Sequence, residues 1–383
     1  MLPPLSLYVH LPWCVRKCPY CDFNSHRAGD SPPRASYVDA LINDLRLEAE
    51  SGRAADRKIS TVFIGGGTPS LFDGGEIATI INAIDASLEL KDGVEITMEA
   101  NPGTVERGNL AHYRQAGINR LSLGAQSFSA RSLTRLGRIH GPQEIESAFA
   151  AARNAGFDNI NLDIMFALPG QTLSAAADDV KKAIALGPQH ISYYQLTLEP
   201  NTVFHSRPPD DLPDDDLSWS MQQAGHELLE QAGFAQYEVS AFAAAGRLCE
   251  HNMNYWQFGD YLAVGAGAHG KVTVPDGAVW RYQKPAHPTT YITQGQSGNF
   301  DSRLRQLARD DVAFEFMLNV LRLNQGFSEN LYTARTGLPF SSVAVAIDQA
   351  RIDGFLACND FGIWAPTGRG MRFLNDLQGR FLP

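Results

Sequence analysis

Residues 8–23 read YVHLPWCVRKCPYCDF, and the stretch holds three cysteines in the spacing Cys-x3-Cys-x2-Cys: Cys14, Cys18 and Cys21. Thiolates are soft ligands that suit an iron–sulfur cluster or zinc. Three cysteines would leave one iron of a four-iron cluster without a protein ligand, as an open coordination position. A structural zinc site normally takes four protein ligands, and at conventional spacing only His26 or Asp22 could be the fourth. The sequence therefore favours a 4Fe-4S cluster over zinc.

The overall composition agrees with a metal site inside a globular protein. Five cysteines are an odd number, and three of them lie within eight residues, so a disulfide framework is disfavoured. The formal net charge of -10 and the lack of a long basic run argue against a nucleic-acid partner. No signal peptide and no run of some 18 apolar residues is present, which predicts a cytoplasmic protein without a membrane span.

Strand and helix patterns alternate over the first half of the chain. Six short segments rich in β-branched and aromatic residues are typical of strands: 6–11, 61–64, 95–99, 120–124, 159–166 and 190–196. Apolar spacing of 3.6 residues predicts helices between them: 37–50, 76–88, 145–155 and 175–186. Alternating βα units imply a parallel sheet, here an α/β (βα)6-type partial TIM barrel. A doubly wound open sheet is the alternative.

A weak repeat marks the helix ends, since Ala-Gly precedes an alternating apolar segment at Gly117, Gly156 and Gly233. These glycines are predicted to follow helix C-termini in the left-handed conformation.

The acidic segment 207–216 is expected to be solvated and to cap the next helix. The alternation weakens after residue 231, so we expect a barrel domain over 1–235 and a second domain over 236–383. An apolar helix at 314–323 and later strand-like segments predict a smaller α+β, winged-helix-like C-terminal part.

The cysteine spacing resembles that of the radical S-adenosylmethionine (SAM) superfamily. The flanking YVHLPWC resembles the branch that contains oxygen-independent coproporphyrinogen III dehydrogenase. The resemblance implies that Cys14, Cys18 and Cys21 hold a 4Fe-4S cluster and that the amino and carboxylate groups of SAM bind the fourth iron. It also implies that one electron from the cluster cleaves SAM to a 5′-deoxyadenosyl radical.

Polar residues at the carboxyl ends of the predicted strands fit a SAM pocket, because barrels build their sites there. The loop GGGTPS after the second strand resembles the family loop for the SAM amino group, and its candidate residues are Gly66, Gly67 and Thr68. Glu99 ends the third strand and could accept hydrogen bonds from ribose hydroxyls. Gln126 follows the fourth strand and can both donate and accept.

Two charged residues complete the predicted pocket and match SAM-contact positions of the family. Arg138 suits the SAM carboxylate, because a guanidinium can bind it through two hydrogen bonds. Asp163 lies in an apolar strand, where an unpaired charge is costly, so a ribose hydroxyl is a good partner for it. Tyr8 and Tyr20 are expected to flank the cluster and ligand, although ordinary barrel packing would explain either tyrosine.

Two departures distinguish the chain from the coproporphyrinogen dehydrogenase. Asp22-Phe23 stands where that enzyme carries a fourth cysteine, and the substrate-handling N-terminal arm is expected to be missing. Residues 249–270 instead resemble the His-Asn-x-x-Tyr element of haem chaperones of the HemW type. The resemblance implies haem binding through His251, Asn252 and Tyr255. If these residues form a helix, His251 and Tyr255 stand at i and i+4 and lie on one face.

The implied partners are haem and acceptor haemoproteins, including respiratory complexes of a membrane contacted peripherally. Cys249 and His269 are competing axial ligands, and a hydrogen-bonded core histidine is the alternative for His251. Enzyme status stays open, because the chain could cleave SAM without acting on an organic substrate. The alternative function is a true coproporphyrinogen III dehydrogenase. A purely structural iron–sulfur protein would not explain the glycine loop and the polar strand ends.

Overall fold

The computed structural model of the chain describes residues 2–104, 107–295, 297–298 and 300–383. The strands are, in chain order, β1 (Leu5–Leu11), β2 (Trp13–Cys14), β3 (His26–Arg27), β4 (Ile59–Gly66), β5 (Leu90–Ala100), β6 (Arg120–Gln126), β7 (Ile160–Phe166), β8 (His190–Gln195), β9 (Ala235–Glu238), β10 (Ala241–Ala243), β11 (Asp260–Val264), β12 (His269–Thr273), β13 (Val279–Gln283), β14 (Arg303–Gln306), β15 (Phe327–Ser328), β16 (Leu356–Cys358) and β17 (Ile363–Pro366).

The α-helices alternate with these strands over the first half of the chain. They are α1 (Arg34–Glu50), α2 (Gly74–Ser87), α3 (Arg107–Gln115), α4 (Ala130–Arg135), α5 (Pro142–Asn154), α6 (Leu173–Ala185), α7 (Val203–Ser206), α8 (Asp215–Gln231), α9 (Glu250–Trp256), α10 (Pro288–Gly295), α11 (Arg309–Val320), α12 (Glu329–Thr336), α13 (Ala344–Ile352), α14 (Gly368–Arg372) and α15 (Leu374–Gly379). Short 3-10 helices cover Pro69–Leu71, Pro102–Thr104 and Phe340–Ser342.

The main sheet confirms the predicted partial barrel. Strands β1, β4, β5, β6, β7 and β8 are neighbours in that order, and each pairs with the next in parallel. A doubly wound sheet would reverse its strand order partway across, so that alternative is wrong. Helices α1, α2, α3 and α5 pack side by side along the sheet, as α6 and α8 do further on. All six predicted strands and all four predicted helices between them are present, with bounds that differ by a few residues.

The sheet continues on both sides of the parallel strands. β11 joins β1 in parallel, and β12, β13 and β14 then extend the sheet as antiparallel strands. Beyond β8 the sheet ends in antiparallel β10 and β9. The alternation of strand and helix patterns weakens after residue 231 because the two strands that follow β8 pair in antiparallel fashion. The division of the chain at residue 235 stays a prediction, and the sheet itself runs on through β14.

Local sequence signals explain where several helices begin and end. Asp73 accepts a hydrogen bond from the backbone N–H of Glu76, and the Glu76 carboxylate accepts one from the Asp73 N–H, which makes a capping box for α2. Asp214, in the acidic segment, caps α8 through the Leu217 N–H at 2.8 Å, as predicted. The predicted glycines after α3, α5 and α8 are left-handed, with φ of 110° at Gly117, 87° at Gly156 and 86° at Gly233.

The C-terminal residues form a second hydrophobic cluster around α11, which contains the apolar helix predicted at 314–323. The order α11, β15, α12, α13, β16 and β17 is that of a winged helix, with β17 between β15 and β16 in a small sheet. This agrees with the predicted α+β layout. In the described part of the chain, no helix is both long and apolar enough to cross a membrane.

Candidate functional site

A cavity of about 480 Å³ opens at the carboxyl ends of the parallel strands and reaches into the barrel. Eleven of the residues predicted from the sequence line it: Cys14, Cys18, Tyr20, Cys21, Gly67, Thr68, Glu99, Gln126, Arg138, Asp163 and Asn252. They come from the cysteine loop, from four different parallel strands or the loops after them, and from α9. The fold thus brings together side chains that are up to 238 residues apart in sequence.

The cysteine loop covers one side of this cavity. The three thiols are partly exposed, and the Cys21 N–H donates to the Cys18 carbonyl at 3.2 Å. The Thr68 hydroxyl donates to Cys14 Sγ at 3.3 Å, which joins the loop to the end of β4. Burial raises the pKa of the Cys14 and Cys21 thiols. These thiols would be protonated at neutral pH unless a metal bound them.

The residues around the cysteines do not favour zinc. His26 hydrogen-bonds to Asn24 Oδ1 and to the Ala286 carbonyl, both at 3.3 Å, and so faces away from the thiols. Within the described ranges, no three His, Cys, Asp or Glu side chains are grouped closely enough to hold a single metal ion. The cysteines of a cubane cluster lie further apart than the ligands of a single metal ion, because each cysteine binds a different iron.

A short relay of hydrogen bonds holds the cysteine loop to the barrel. The Tyr8 hydroxyl donates to His10 Nδ1 at 3.0 Å, and His10 Nε2 donates to the Asn24 carbonyl at 2.9 Å. Burial lowers the pKa of His10 to about 4, so its ring is neutral and keeps an acceptor nitrogen for Tyr8. Tyr8 was expected to flank the ligand; it lies outside the cavity lining, stacked on Phe63.

The glycine loop after β4 approaches its neighbours too closely for side chains. Gly66 has a φ of 115°, and a Cβ there would lie 2.6 Å from the His10 ring. A Cβ on Gly67 would lie 2.6 Å from the Trp13 carbonyl oxygen. Both glycines are therefore needed to seat the loop against the cysteine strand, and only Gly67 of the two lines the cavity.

Two buried carboxyl groups face the cavity from β5 and β7. Burial, together with the charge of Asp163, raises the pKa of Glu99 to about 8. A hydrogen bond from the Gly66 N–H acts in the opposite direction but is the smaller effect. Burial also raises the pKa of Asp163, although Asn161 Nδ2 at 2.8 Å and the Ser122 hydroxyl at 3.2 Å donate to it. Two carboxyls that repel one another across a cavity are stabilised by a cation between them.

Gln126 and Arg138 lie near the cysteine end of the same cavity. Gln126 adopts a φ of 70°, and its Oε1 accepts a hydrogen bond from the Tyr194 hydroxyl at 2.6 Å. Arg138 Nη2 donates to the Gly124 carbonyl at 2.8 Å, and Nη1 contacts Cys18 Sγ at 3.8 Å. Arg138 Nε is buried and finds no hydrogen-bond partner among the described residues. The guanidinium is therefore only partly satisfied and retains donors for an anionic group beside Cys18.

Several polar residues of the cavity were missed by the sequence analysis: Asn101, Arg120, Asn161, His190, Ser192 and Tyr194. Some of them form a network deep in the barrel, in which His190 links Asn161 Oδ1 at 2.6 Å to the Tyr237 hydroxyl at 2.8 Å. For Arg120, Asn161, His190 and Ser192 the available signal was a polar residue in the first half of a buried strand, at an inward-facing position.

The motif at 249–256 forms helix α9, as the predicted i, i+4 placement of His251 and Tyr255 requires. The helix lies against the barrel strands, and His251 is 7% exposed with its Nδ1 2.9 Å from the Thr61 hydroxyl. Burial lowers the pKa of His251 to about 3, so its ring is neutral. Tyr255 is 36% exposed and stacks on Tyr261. The two side chains therefore do not form one open surface.

Glu95, in the middle of β5, anchors this helix. Its carboxylate accepts hydrogen bonds from the Glu250 and His251 N–H groups, both at 3.1 Å, and from the Cys249 thiol at 3.6 Å. Cys249 is fully buried, and burial raises its pKa to about 12. Of the two competing axial ligands, Cys249 is enclosed and His269 is exposed at the start of β12.

Comparisons with known proteins agree with the site. The model of the radical SAM superfamily matches residues 8–183, and that of the HemN C-terminal domain matches residues 307–373. The heme chaperone HemW of Escherichia coli strain K12 is 48% identical over all of this chain and 99% of its own length. HemW of Haemophilus influenzae is 47% identical over 100% and 98% of the two chains, and HemW of Bacillus subtilis is 36% identical over 98% and 99%.

A solved structure, coproporphyrinogen III oxidase HemN from Escherichia coli, has the same fold. It superposes with a TM-score of 0.83 over 99% of this chain and 90% of its own, at 24% identity. At 24% identity this structural similarity supports the assignment of the fold. The family is assigned from the relatives that are similar along the full length of the chain. The chain belongs to the HemW family of heme chaperones within the radical SAM superfamily.

Proposed function

We propose that the chain is a radical SAM haem chaperone, which holds a 4Fe-4S cluster, binds SAM and haem, and delivers the haem to acceptor haemoproteins. The observation that carries the proposal is the 48% identity to a heme chaperone along the full length of both chains. The cavity supports it, because its cysteines, carboxyls and guanidinium are what a cluster and a cationic amino acid derivative require.

Cys14, Cys18 and Cys21 would hold the cluster, which when bound supplies an open iron and a single electron to its ligand. Arg138 would stabilise the thiolates through its contact with Cys18 and would bind the SAM carboxylate with its free donors. Thr68, which donates to Cys14 Sγ, keeps the first cysteine oriented towards the cavity. Tyr20 contacts Phe204 and covers the cavity beside the cluster position.

The remaining cavity residues would bind the rest of SAM. Glu99 and Asp163 offer two carboxyls to a ligand that carries a sulfonium and an ammonium, and the approach of this cation would favour their ionised form. Gly66, Gly67 and Thr68 form the loop for the amino group, where Gly66 acts by positioning Glu99. Gln126 would bind ribose or adenine with the amide group that Tyr194 orients.

Haem binding through His251, Asn252 and Tyr255 stays a prediction. His251 is buried against Thr61 and Phe63, so its ring can reach haem iron only if α9 moves away from the barrel. Asn252 faces the cavity, and Tyr255 is the accessible member of the motif. Delivery to haemoproteins of the respiratory chain, the cytoplasmic location and the domain boundary at residue 235 likewise stay predictions.

The proposal is tested by two parallel assays on the anaerobically reconstituted protein. One adds SAM, a reductant and coproporphyrinogen III and measures decarboxylated product; the other titrates the protein with haem. We expect stable haem uptake without product. Decarboxylated product would instead support a coproporphyrinogen III dehydrogenase, which the names of the full-length relatives do not favour.

A further inference from the structure

We propose that the inner end of the cavity binds a small carboxylate, which the Arg120 guanidinium and the Asn252 amide hold. The ligand is a free organic acid, separate from both SAM and haem. Arg120 belongs to β6 and Asn252 to α9, and both line the cavity, so the site lies where the barrel meets that helix. The SAM contacts proposed above involve neither residue.

Arg120 is a buried cation that the protein leaves without a hydrogen-bond partner. The residue is 2% exposed, and its Nε is fully buried and unpaired. Within the part of the chain that the structure describes, the guanidinium makes no hydrogen bond at all. A guanidinium carries several N–H donors, and a buried charge is costly unless it is paired and hydrogen-bonded. Arg120 therefore requires an acceptor that the fold itself does not supply.

This guanidinium belongs to the inner end of the cavity, far from the cysteines. Arg120, Ser122, Gly124 and Gln126 alternate along β6 and all line the cavity, so one face of the strand points inward. At about 3.3 Å per residue, the backbone of Arg120 lies roughly 20 Å from that of Gln126. Gln126 stands near the cysteine end, and Arg120 therefore stands at the opposite end.

The electrostatic effects of Arg120 locate its charge between the barrel and α9. Burial is the main cause of the lowered pKa of His190 in β8 and of His251 in α9, and the charge of Arg120 lowers both further. The same charge opposes the burial that raises the pKa of Asp163 in β7. The guanidinium thus faces three different elements from the middle of the barrel.

The polar neighbours of Arg120 are engaged with other groups. Glu95 directs its carboxylate to the start of α9, where two backbone N–H groups and a thiol donate to it. Asn161 accepts a hydrogen bond from His190 Nδ1 at 2.6 Å and donates one to Asp163 at 2.8 Å. In the described structure none of these acceptors is hydrogen-bonded to Arg120, so its donors remain available to a ligand.

Asn252 supplies a second unused donor. Its side chain makes no hydrogen bond to any described residue, although the residue lines the cavity. A carboxylate can accept two parallel hydrogen bonds from the guanidinium and another from the amide Nδ2.

The surroundings select the charge and the size of the ligand. Glu95 and Asp163 are carboxyl groups near Arg120, and they disfavour a doubly charged anion such as phosphate more than a singly charged carboxylate. The ligand must also be small, because it shares a cavity of about 480 Å³ with the proposed SAM contacts. A short monocarboxylic acid meets both conditions.

The experiment titrates the anaerobically reconstituted protein with sodium propionate and records the melting temperature, with sodium chloride keeping the ionic strength constant. A ligand that binds only the folded state raises this temperature with its concentration relative to Kd. Wild type is compared with Arg120→Gln, Arg120→Lys and Asn252→Ala. Arg16→Gln is the matched control, because Arg16 lines the same cavity from the cysteine loop and is exposed.

We expect propionate to raise the melting temperature of wild type and of Arg16→Gln, with and without SAM. Loss of the charged hydrogen bonds should weaken propionate binding about ten- to a hundredfold in Arg120→Gln. Arg120→Lys keeps the charge but cannot form two parallel hydrogen bonds, so its affinity should fall between wild type and Arg120→Gln. Asn252→Ala should bind propionate more weakly than wild type, and by a smaller factor than Arg120→Gln.

An equal rise in wild type, Arg120→Gln and Asn252→Ala would overturn the site. No rise in wild type would overturn it as well, since water alone would then satisfy Arg120. Loss of propionate binding on addition of SAM would show that the carboxylate occupies part of the SAM pocket, which also contradicts the proposal. Should Arg120→Gln fail to fold, Asn252→Ala still decides, because no described hydrogen bond depends on the Asn252 side chain.

Discussion

The backbone N–H of Gly66 donates a hydrogen bond to Glu99 Oε2 at 3.1 Å, so the glycine loop after β4 is joined to the carboxyl at the end of β5. This bond favours the ionised form of Glu99, whereas burial and the nearby Asp163 favour the protonated form, and burial dominates. Glu99 is therefore a proton-binding group whose charge depends on what occupies the cavity.

The first prediction concerns the pH dependence of stability. The folded-state pKa of Glu99 is about 8, against an ordinary value of 4.5, so between these pH values the folded protein holds a proton that the unfolded chain has lost. The stability that this proton gives to the folded protein is fully present below pH 4.5 and is lost as the pH rises towards 8. Glu99→Gln should remove this decrease in the free energy of unfolding, which amounts to a few kcal/mol at ~1.4 kcal/mol per pKa unit.

The measurement is urea unfolding of the SAM-free protein at pH 5, 6.5 and 8. Glu89→Gln is the matched control, because Glu89 is exposed and pairs at the surface with Lys58. An unfolding free energy that falls equally with pH in wild type and Glu99→Gln would contradict the assignment.

A second prediction tests the cluster ligands. Cys14→Ala, Cys18→Ala and Cys21→Ala should each lose iron and sulfide after anaerobic reconstitution, because each thiol binds a different iron. Cys358→Ala is the control, since Cys358 is exposed on β16. Full iron and sulfide content in all three loop variants would show that the ligands are wrong.

Arg138 provides a third prediction, on SAM affinity. Its unsatisfied donors are expected to bind a charged group, which contributes about 1.5–3 kcal/mol, or roughly ten- to a hundredfold in affinity. Arg138→Ala should weaken SAM binding by this factor, measured by isothermal titration, while iron content is kept. Arg135→Ala is the control, because Arg135 pairs with Asp211 near the surface. Unchanged SAM affinity in a folded Arg138→Ala variant would remove Arg138 from the site.

A fourth prediction concerns a buried ion-pair group outside the cavity. Lys284 Nζ donates to Asp44 at 2.8 Å and to Glu48 at 2.5 Å, and all three side chains are buried. Removing the ammonium leaves Asp44 without a cation and Glu48 with Arg53 alone, so Lys284→Met should lower the unfolding free energy by about 3–5 kcal/mol. Lys58→Met, at an exposed pair, should cost about 0–1 kcal/mol. Equal losses in the two variants, measured by denaturant unfolding, would refute the buried role.

The parallel strands could be predicted from sequence because they are short and apolar and are separated by stretches with helical apolar spacing. The strands from β11 onward could not be predicted, because their pairing depends on distant partners. β11 lies beside β1, and Val264 pairs with Val9, 255 residues away. No local pattern carries that information.

The residues of the candidate site also fall into those that could be predicted from the sequence and those that could not. Glu99 and Gln126 stand at strand ends, and Asp163 is a charged residue inside an apolar strand, so sequence position predicts that they share a cavity. Helical periodicity placed His251 and Tyr255 near one another, but it could not reveal that the barrel covers the histidine. His26 was considered as a zinc ligand, and only its contact with the Ala286 carbonyl shows which way its ring faces.

The pairing of β1 with β11 also constrains the order of events during synthesis. At about 5–20 residues per second, a ribosome needs roughly 10–50 s to add the residues between these two strands. During that interval the cysteine loop lacks Ala266 and Ala286, the two carbonyl partners of Asn24. The nascent chain therefore carries its thiols on a loop that lacks two of its anchors, and the last part of translation supplies them.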